Sequence, residues 1–153
     1  MKIQGELSAE KVKIGIVTAR FNLEVTEKLE NGAVEFLNSK GLRAEDLLIV
    51  RVPGAFEVPL AAKYLLESGV DGVVALGAVI RGETSHYDYV CNAVERGCTQ
   101  LQLEYGKPVA FGVLTTENDE QAIARAGGKH GNKGREAAEV VLEMIDLKRR
   151  LRL

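Results

Sequence analysis

The residues of this chain best suited to chemistry fall in four short polar stretches, each directly after an apolar run. The densest is RGETSHYDY, Arg81 to Tyr89. His86 there suits proton transfer, because imidazole ordinarily exchanges protons near neutral pH; the alternative is a surface histidine capping a helix. Gly82 lets backbone approach a ligand, and Thr84 and Ser85 can offer hydroxyl and N–H groups to an anion at a helix start. A second stretch, Thr115 to Gly134, sets Arg125, Lys129 and Lys133 among Gly127, Gly128, Gly131 and Gly134. Such a basic, Gly-rich break suits a phosphate, or else it is a helix C-cap and a solvated basic turn. It is not a P-loop, since no GxxxxGK[ST] is present and the glycines follow a helix.

The other two stretches suit a ring and a polyol. In TARFN, Phe21 follows a basic residue at a loop tip, as a stacking platform or as a hydrophobic staple onto a helix capped by Asn22. In VPGAFEVP, Val52 to Pro59, two prolines bracket Gly54 and present the backbone of Ala55 and Phe56 at a helix start. Glu57 either offsets the helix dipole or accepts hydrogen bonds from hydroxyls. Phe111, in mid-strand, has the position of a core residue. Several chemistries are excluded. There is no GxSxG, no plausible Cys–His nucleophile, no paired acid group after the first strand, no GxGxxG, and no CxxC or HxxxH for a metal.

The elements that must position these stretches alternate in hydrophobic period. Val12 to Val17, Leu47 to Val52, Gly72 to Ile80 and the run after Pro108 are β-branched and apolar, as strands buried on both faces are. Between them lie amphipathic stripes: Leu23 to Lys40, stopped by Gly41; about Glu57 to Ser68; His86 to Tyr105; Asp119 to Ala126; and Gly134 to Arg150. The last ends in basic residues that complement its dipole. Strands alternating with longer helices predict right-handed βαβ units: a three-layer α/β/α sandwich, flavodoxin-like in style, on a four-stranded parallel sheet. In such sheets ligands bind beyond the carboxyl ends of the strands, which is where all four polar stretches fall. The segment before Val12 is too polar for a central strand and is expected to be an arm or an added edge strand.

Composition narrows the class. A chain of 153 residues predicts one domain, 1–153, able to bury a core without disulfides. Lys plus Arg number 20 against 22 Asp plus Glu, which removes a general electrostatic drive toward nucleic acid. Only 5% of residues are aromatic and Trp is absent, against a binder that stacks single-stranded bases. The longest apolar run, Val73 to Ile80, is far short of the ~20 residues of a membrane span. The opening residues carry no apolar signal core. Cys91 and Cys98, seven apart, share a helix face two turns apart and are expected to be free thiols. A soluble cytoplasmic domain is the expectation.

The ordered set GIVTARFN, VPGAFEVP, GAVIRGETSHYDYV, FGVLTTENDEQAIARAG and KHGNKGREAA resembles the 6,7-dimethyl-8-ribityllumazine synthase family, essentially end to end. The resemblance implies the penultimate reaction of riboflavin biosynthesis. 5-Amino-6-(D-ribitylamino)uracil condenses with 3,4-dihydroxy-2-butanone 4-phosphate, and the lumazine, phosphate and water are released. It implies no metal or organic cofactor. It also implies that Phe21 stacks on the pyrimidine and that Ala55, Phe56 and Glu57 hold the ribityl chain. Ala78, Val79 and Ile80 would meet the heterocycle edge, Glu83 and Thr84 would hold the phosphate end of the second substrate, and His86 would move protons. Phe111 and Arg125 would come from an adjacent subunit, with Arg125 on the phosphate.

The resemblance further implies a homopentamer whose N-terminal arms join neighbouring sheets. The GGKHGNKG turn, without an insertion, is similar to members that build twelve pentamers into an icosahedral shell. Ala124, where many relatives are acidic, and Gly128, where Thr is common, depart from the pattern near Arg125. The competing classes are a non-catalytic lumazine- or flavin-binding protein, a compartment protein and the related riboflavin synthase. A turnover assay separates them from the enzyme.

Overall fold

The computed structural model describes residues 1–153. Four parallel strands, β1 (Ile14–Ala19), β2 (Leu47–Val52), β3 (Gly72–Ile80) and β4 (Val109–Thr116), form one sheet in the order β2-β1-β3-β4. Helices α1 (Leu23–Ser39) and α5 (Lys133–Arg150) pack on one face, and α2 (Val58–Glu67) and α3 (His86–Tyr105) on the other. This is the flavodoxin-like sandwich that the sequence predicts. β1 and most of β3 are buried throughout, which explains their unbroken apolar runs.

Two differences from the sequence reading lie where the site is built. The first strand begins at Ile14 rather than Val12, because the Lys13 N–H donates to Asp71 Oδ2 at 2.8 Å and so leaves the ladder. The Gly-rich break contains a short antiparallel hairpin, β5 (Ala126–Gly128) and β6 (Gly131–Asn132), after a six-residue helix α4 (Asp119–Ala124). Gly127 and Gly131 hold φ of 99° and 78° there, a region that glycine enters without strain. Asn132 fastens the hairpin to the body: its Nδ2 donates to the Lys28 carbonyl at 3.0 Å, and its Oδ1 accepts from the Arg135 N–H at 3.1 Å, capping α5.

The N-terminal segment forms no strand within the protomer. Residues 5–11 run along α5 instead. The Glu6 N–H donates to Asp146 Oδ2 at 2.7 Å, and Arg149 donates to the carbonyls of Glu10 and Lys11 at 2.7 and 2.8 Å. Gly5 is buried so tightly that a Cβ would collide with the Glu143 carbonyl. Residues 1–4 extend beyond, exposed.

The hydrogen bonds from Arg150 and from the Glu6 backbone hold the Asp146 carboxyl below the usual aspartate range. A lowered folded-state value means that this brace is complete above the unfolded value and is lost as pH falls through the folded one. Protection of the amides of residues 5–11, taken against the intrinsic exchange rate at each pH, should therefore hold near neutrality and fall only as pH drops below the usual aspartate range, and should already be lower at pH 7 in Asp146→Asn. Unchanged protection in that variant would remove Asp146 as the anchor.

Candidate functional site

The loops after β1 and β2 are tied together as a continuation of the sheet. The Arg20 N–H donates to the Val52 carbonyl at 2.7 Å and the Phe21 N–H to the Pro53 carbonyl at 3.0 Å. That brings Phe21 beside the VPGAFE turn. Phe21 is 71% exposed, so it is not a staple. Asn22 does not cap α1 through its side chain either. It adopts the left-handed conformation at φ 62°, which Asn tolerates better than most residues, and its Nδ2 donates to the Ala78 carbonyl on β3 at 2.9 Å. The Asn22 side chain thus pins the Phe21 loop to the neighbouring strand.

In the second loop, Glu57 Oε1 accepts from the Gly54 N–H at 3.0 Å and closes a 3-10 turn over Ala55–Glu57. Glu57 therefore shapes its own loop, using one carboxylate oxygen. Phe56 projects from this turn, 62% exposed. Thr84 Oγ1 accepts from the His86 N–H at 3.3 Å at the start of α3, so His86 stands in the first turn of a 20-residue helix.

These loops enclose a cavity of about 630 Å³ at the carboxyl ends of β1, β2 and β3. Phe21, Ala55, Phe56, Glu57, Ala78, Val79, Ile80, Thr84 and His86 all line it, and so do Gly82 and Tyr87. Glu83 is exposed and lines no part of it. The walls are mainly apolar with polar groups at the rim, the character of a site for a planar ring carrying hydroxyls.

Phe111 and Arg125 lie elsewhere. They line a second cavity of about 560 Å³ along β4, the outer strand of the sheet, with Thr115, Gln121, His130, Lys133 and Glu136. Phe111 is partly buried rather than core. Arg125 Nη1 donates to the Gln121 carbonyl at 2.9 Å, which orients the guanidinium, and the Lys133 N–H donates to the Arg125 carbonyl at 2.9 Å. Two cationic side chains, a histidine and one carboxylate line this cavity, a set suited to a phosphate. Gly128 closes the turn: a Cβ there would lie 2.8 Å from Ala124 Cα and from the Ile123 carbonyl oxygen, closer than a Thr could sit unless the turn shifted.

Sequence reasoning placed Lys133 among the basic residues near the glycines but gave no part to His130, Gln121 or Glu136. No periodic signal marks them, because a hairpin of five strand residues is too short to show alternation. Their shared neighbourhood with RAGG was the available cue. The two cysteines serve packing. Burial pushes the Cys98 thiol up to about 12, and burial also raises the half-buried Cys91. No three His, Cys, Asp or Glu side chains come together as metal ligands would, and no helix is long and apolar enough to cross a membrane.

An open parallel sheet with a ring-sized cavity beyond its strand ends and a basic cavity at its edge defines an α/β protein of the small-molecule-binding class. The sequence model for 6,7-dimethyl-8-ribityllumazine synthase matches residues 11–149. A protein of that name from Bdellovibrio bacteriovorus is 63% identical over 139 residues, 90% of this chain and 75% of the relative. Those from Nitratidesulfovibrio vulgaris and Pediococcus pentosaceus are each 54% identical over 144 residues, 94% of this chain and 92% of the relative. The chain belongs to the 6,7-dimethyl-8-ribityllumazine synthase family, as the resemblance of its motifs implies.

Proposed function

We propose that this chain, as one domain over 1–153, carries out the reaction of its family, a transferase of riboflavin biosynthesis. 5-Amino-6-(D-ribitylamino)uracil condenses with 3,4-dihydroxy-2-butanone 4-phosphate to give 6,7-dimethyl-8-ribityllumazine, phosphate and water. The observation that carries this reading is the first cavity, which gathers nine of the twelve expected site residues in one place. Phe21 stacks on the pyrimidine from its exposed position at the loop tip. Glu57, with Oε1 engaged by Gly54, offers its other oxygen to ribityl hydroxyls beside Ala55 and Phe56. Ala78, Val79 and Ile80 meet the ring edge. The helix start around Glu83 and Thr84 receives the phosphate end through N–H and hydroxyl groups.

The site is completed by an adjacent subunit in a homopentamer. Each protomer has the ring-binding cavity at its strand ends and the cavity of Phe111 and Arg125 along β4, with no lining residue in common. The free edge of β2 supports the assembly. Leu48 and Ile49 there are 48% and 40% exposed, and Leu48, Val50, Leu60 and Tyr64 line an apolar groove of about 440 Å³. An unpaired strand edge with an apolar flank is a template for another strand, and the extended residues 1–4 of a neighbour suit it. Twelve pentamers in an icosahedral shell follow the same reading, on the uninterrupted GGKHGNKG turn. The assembly is proposed to work in the cytoplasm.

Imine formation, phosphate elimination and ring closure each move a proton, and His86 is the one imidazole in the first cavity, the group that ordinarily gives and takes a proton near neutral pH. A guanidinium paired with the phosphate stabilises the departing dianion. Much of the remaining acceleration is orientation of two bound reactants, an entropic gain that survives loss of the proton carrier.

The test is to mix purified protein with both substrates and follow lumazine absorbance and fluorescence above the uncatalysed background. Wild-type acceleration is expected, with kcat reduced about 10–100-fold but not abolished in His86→Ala. Equal activity in His86→Ala would remove that residue's role. No acceleration by folded, assembled wild-type protein would leave a binding or shell protein.

A further inference from the structure

Arg81 lies one residue beyond β3 and lines neither cavity. Its N–H extends the β3–β4 ladder to the Thr116 carbonyl at 2.9 Å. From there its guanidinium reaches two ways. On one side it stacks 4.2 Å from the centroid of the Tyr87 ring, and its Nη1 and Nη2 face the Asp88 carboxylate at 3.5 and 3.3 Å. Tyr87 and Asp88 follow His86 in the first turn of α3. On the other side, Nε donates to Glu117 Oε2 at 2.7 Å. The Glu117 N–H donates to Gln121 Oε1 at 2.8 Å, and the Gln121 carbonyl accepts from Arg125 Nη1 at 2.9 Å.

A continuous set of contacts therefore runs from the turn bearing His86, through Arg81, Glu117 and Gln121, to the Arg125 guanidinium. A single exposed ion pair has little hold on geometry, because water and salt screen it. Arg81 is different in kind. It is shared by two carboxylates, presents a planar fork to Asp88 and is covered on one face by an aromatic ring. Lysine could not reproduce that combination.

We infer that Arg81 is a positioning residue that holds the His86 turn and the Arg125 guanidinium in one fixed arrangement, coupling the two cavities of a protomer. This rests on the proposed use of both cavities in the family reaction. Because the two cavities serve different composite sites in the pentamer, the coupling runs between neighbouring sites as well as within each subunit.

The experiment is steady-state kinetics with each substrate varied, together with amide hydrogen exchange, on full-length assembled wild type, Arg81→Gln, Arg81→Lys, Glu117→Gln and the Arg81→Gln/Glu117→Gln pair. Arg81→Gln is expected to lower kcat about tenfold and raise KM for the butanone phosphate about tenfold, leaving KM for the ribitylaminouracil within about twofold. Glu117→Gln should show only the KM change, the double variant should be no worse than Arg81→Gln, and Arg81→Lys should recover only part of the loss. In Arg81→Gln, residues 84–90 and 117–125 should exchange faster together. Kinetic constants within about twofold of wild type in Arg81→Gln, or fully additive losses in the double variant, would overturn the inference. If Arg81→Gln does not assemble, an unchanged KM in Glu117→Gln overturns it. If the wild type turns nothing over, the family reaction fails for this chain, and exchange alone decides: joint loosening supports the coupling, and loosening of one segment overturns it.

Discussion

Arg125→Ala is expected to lower kcat/KM for the butanone phosphate by roughly two orders of magnitude, while leaving KM for the ribitylaminouracil within about twofold. The size follows from what is removed. A hydrogen bond to a charged group contributes about 1.5–3 kcal/mol, and the Gln121 carbonyl already holds Nη1, so the remaining donors are aimed rather than searching. Lys133 and His130 share the cavity, and the variant is expected to keep some affinity for an anion through them. Arg125→Lys should recover part of the loss, because charge returns and the planar fork does not. Initial rates with each substrate varied separately make the check. A loss spread equally over both substrates would mean that the substitution disturbed the fold near β4 rather than a phosphate contact.

The largest expected effect on stability is Gly134→Ala. Gly134 stands in the first turn of α5 where that helix crosses α1, and an added Cβ would run into the Leu29 carbonyl and lie 2.9 Å from Leu29 Cα. Both obstacles are backbone in the middle of a helix, so no side chain can turn aside. The helices must separate, opening the layer that Leu29, Ala33, Ala138 and Leu142 fill with essentially no exposure. Overpacking of this kind costs about 3 kcal/mol, or roughly 10 °C in Tm for a chain of this length. Thermal unfolding with circular dichroism reads it directly. A Tm within about 2 °C of wild type would show that the crossing can yield. Lys133 precedes Gly134, so the same variant should also weaken use of the phosphate substrate.

Fold and site were unequally legible in the sequence. The four strands were plain because both faces of β1 and β3 are covered, and burial on both sides leaves only one kind of residue. The first cavity was legible for a related reason: its lining follows strand ends, where a parallel sheet leaves room for a ligand. Asn22 does hold the N-cap position that one of the two readings gave it, but its side chain anchors the loop on β3 instead of capping, in a left-handed backbone that a helix-start pattern does not record. Glu57 was legible as polar but not as the lock of its own turn. The surroundings of Arg125 were the least legible. Three residues of β5 and two of β6 carry no period, and their geometry rests on glycine torsions and on Asn132 reaching across to α1. Phe111 looked like core because its other face opens onto a cavity at the sheet edge, which a strand pattern does not record.

The two cavities of a protomer share no residue, and in the proposed ring each is half of a different site. Inheritance of damage then follows an unusual rule. A subunit defective at His86 still lends a sound Arg125 to its neighbour, and a subunit defective at Arg125 still lends a sound His86. Two alleles, each impaired alone, would complement in part when co-expressed, with about a quarter of the sites in a random equal mixture receiving both sound halves. Two lesions within the same cavity would not. The genetics of this protein would thus map its active site by which pairs of mutants rescue one another, with no structure needed to draw the boundary.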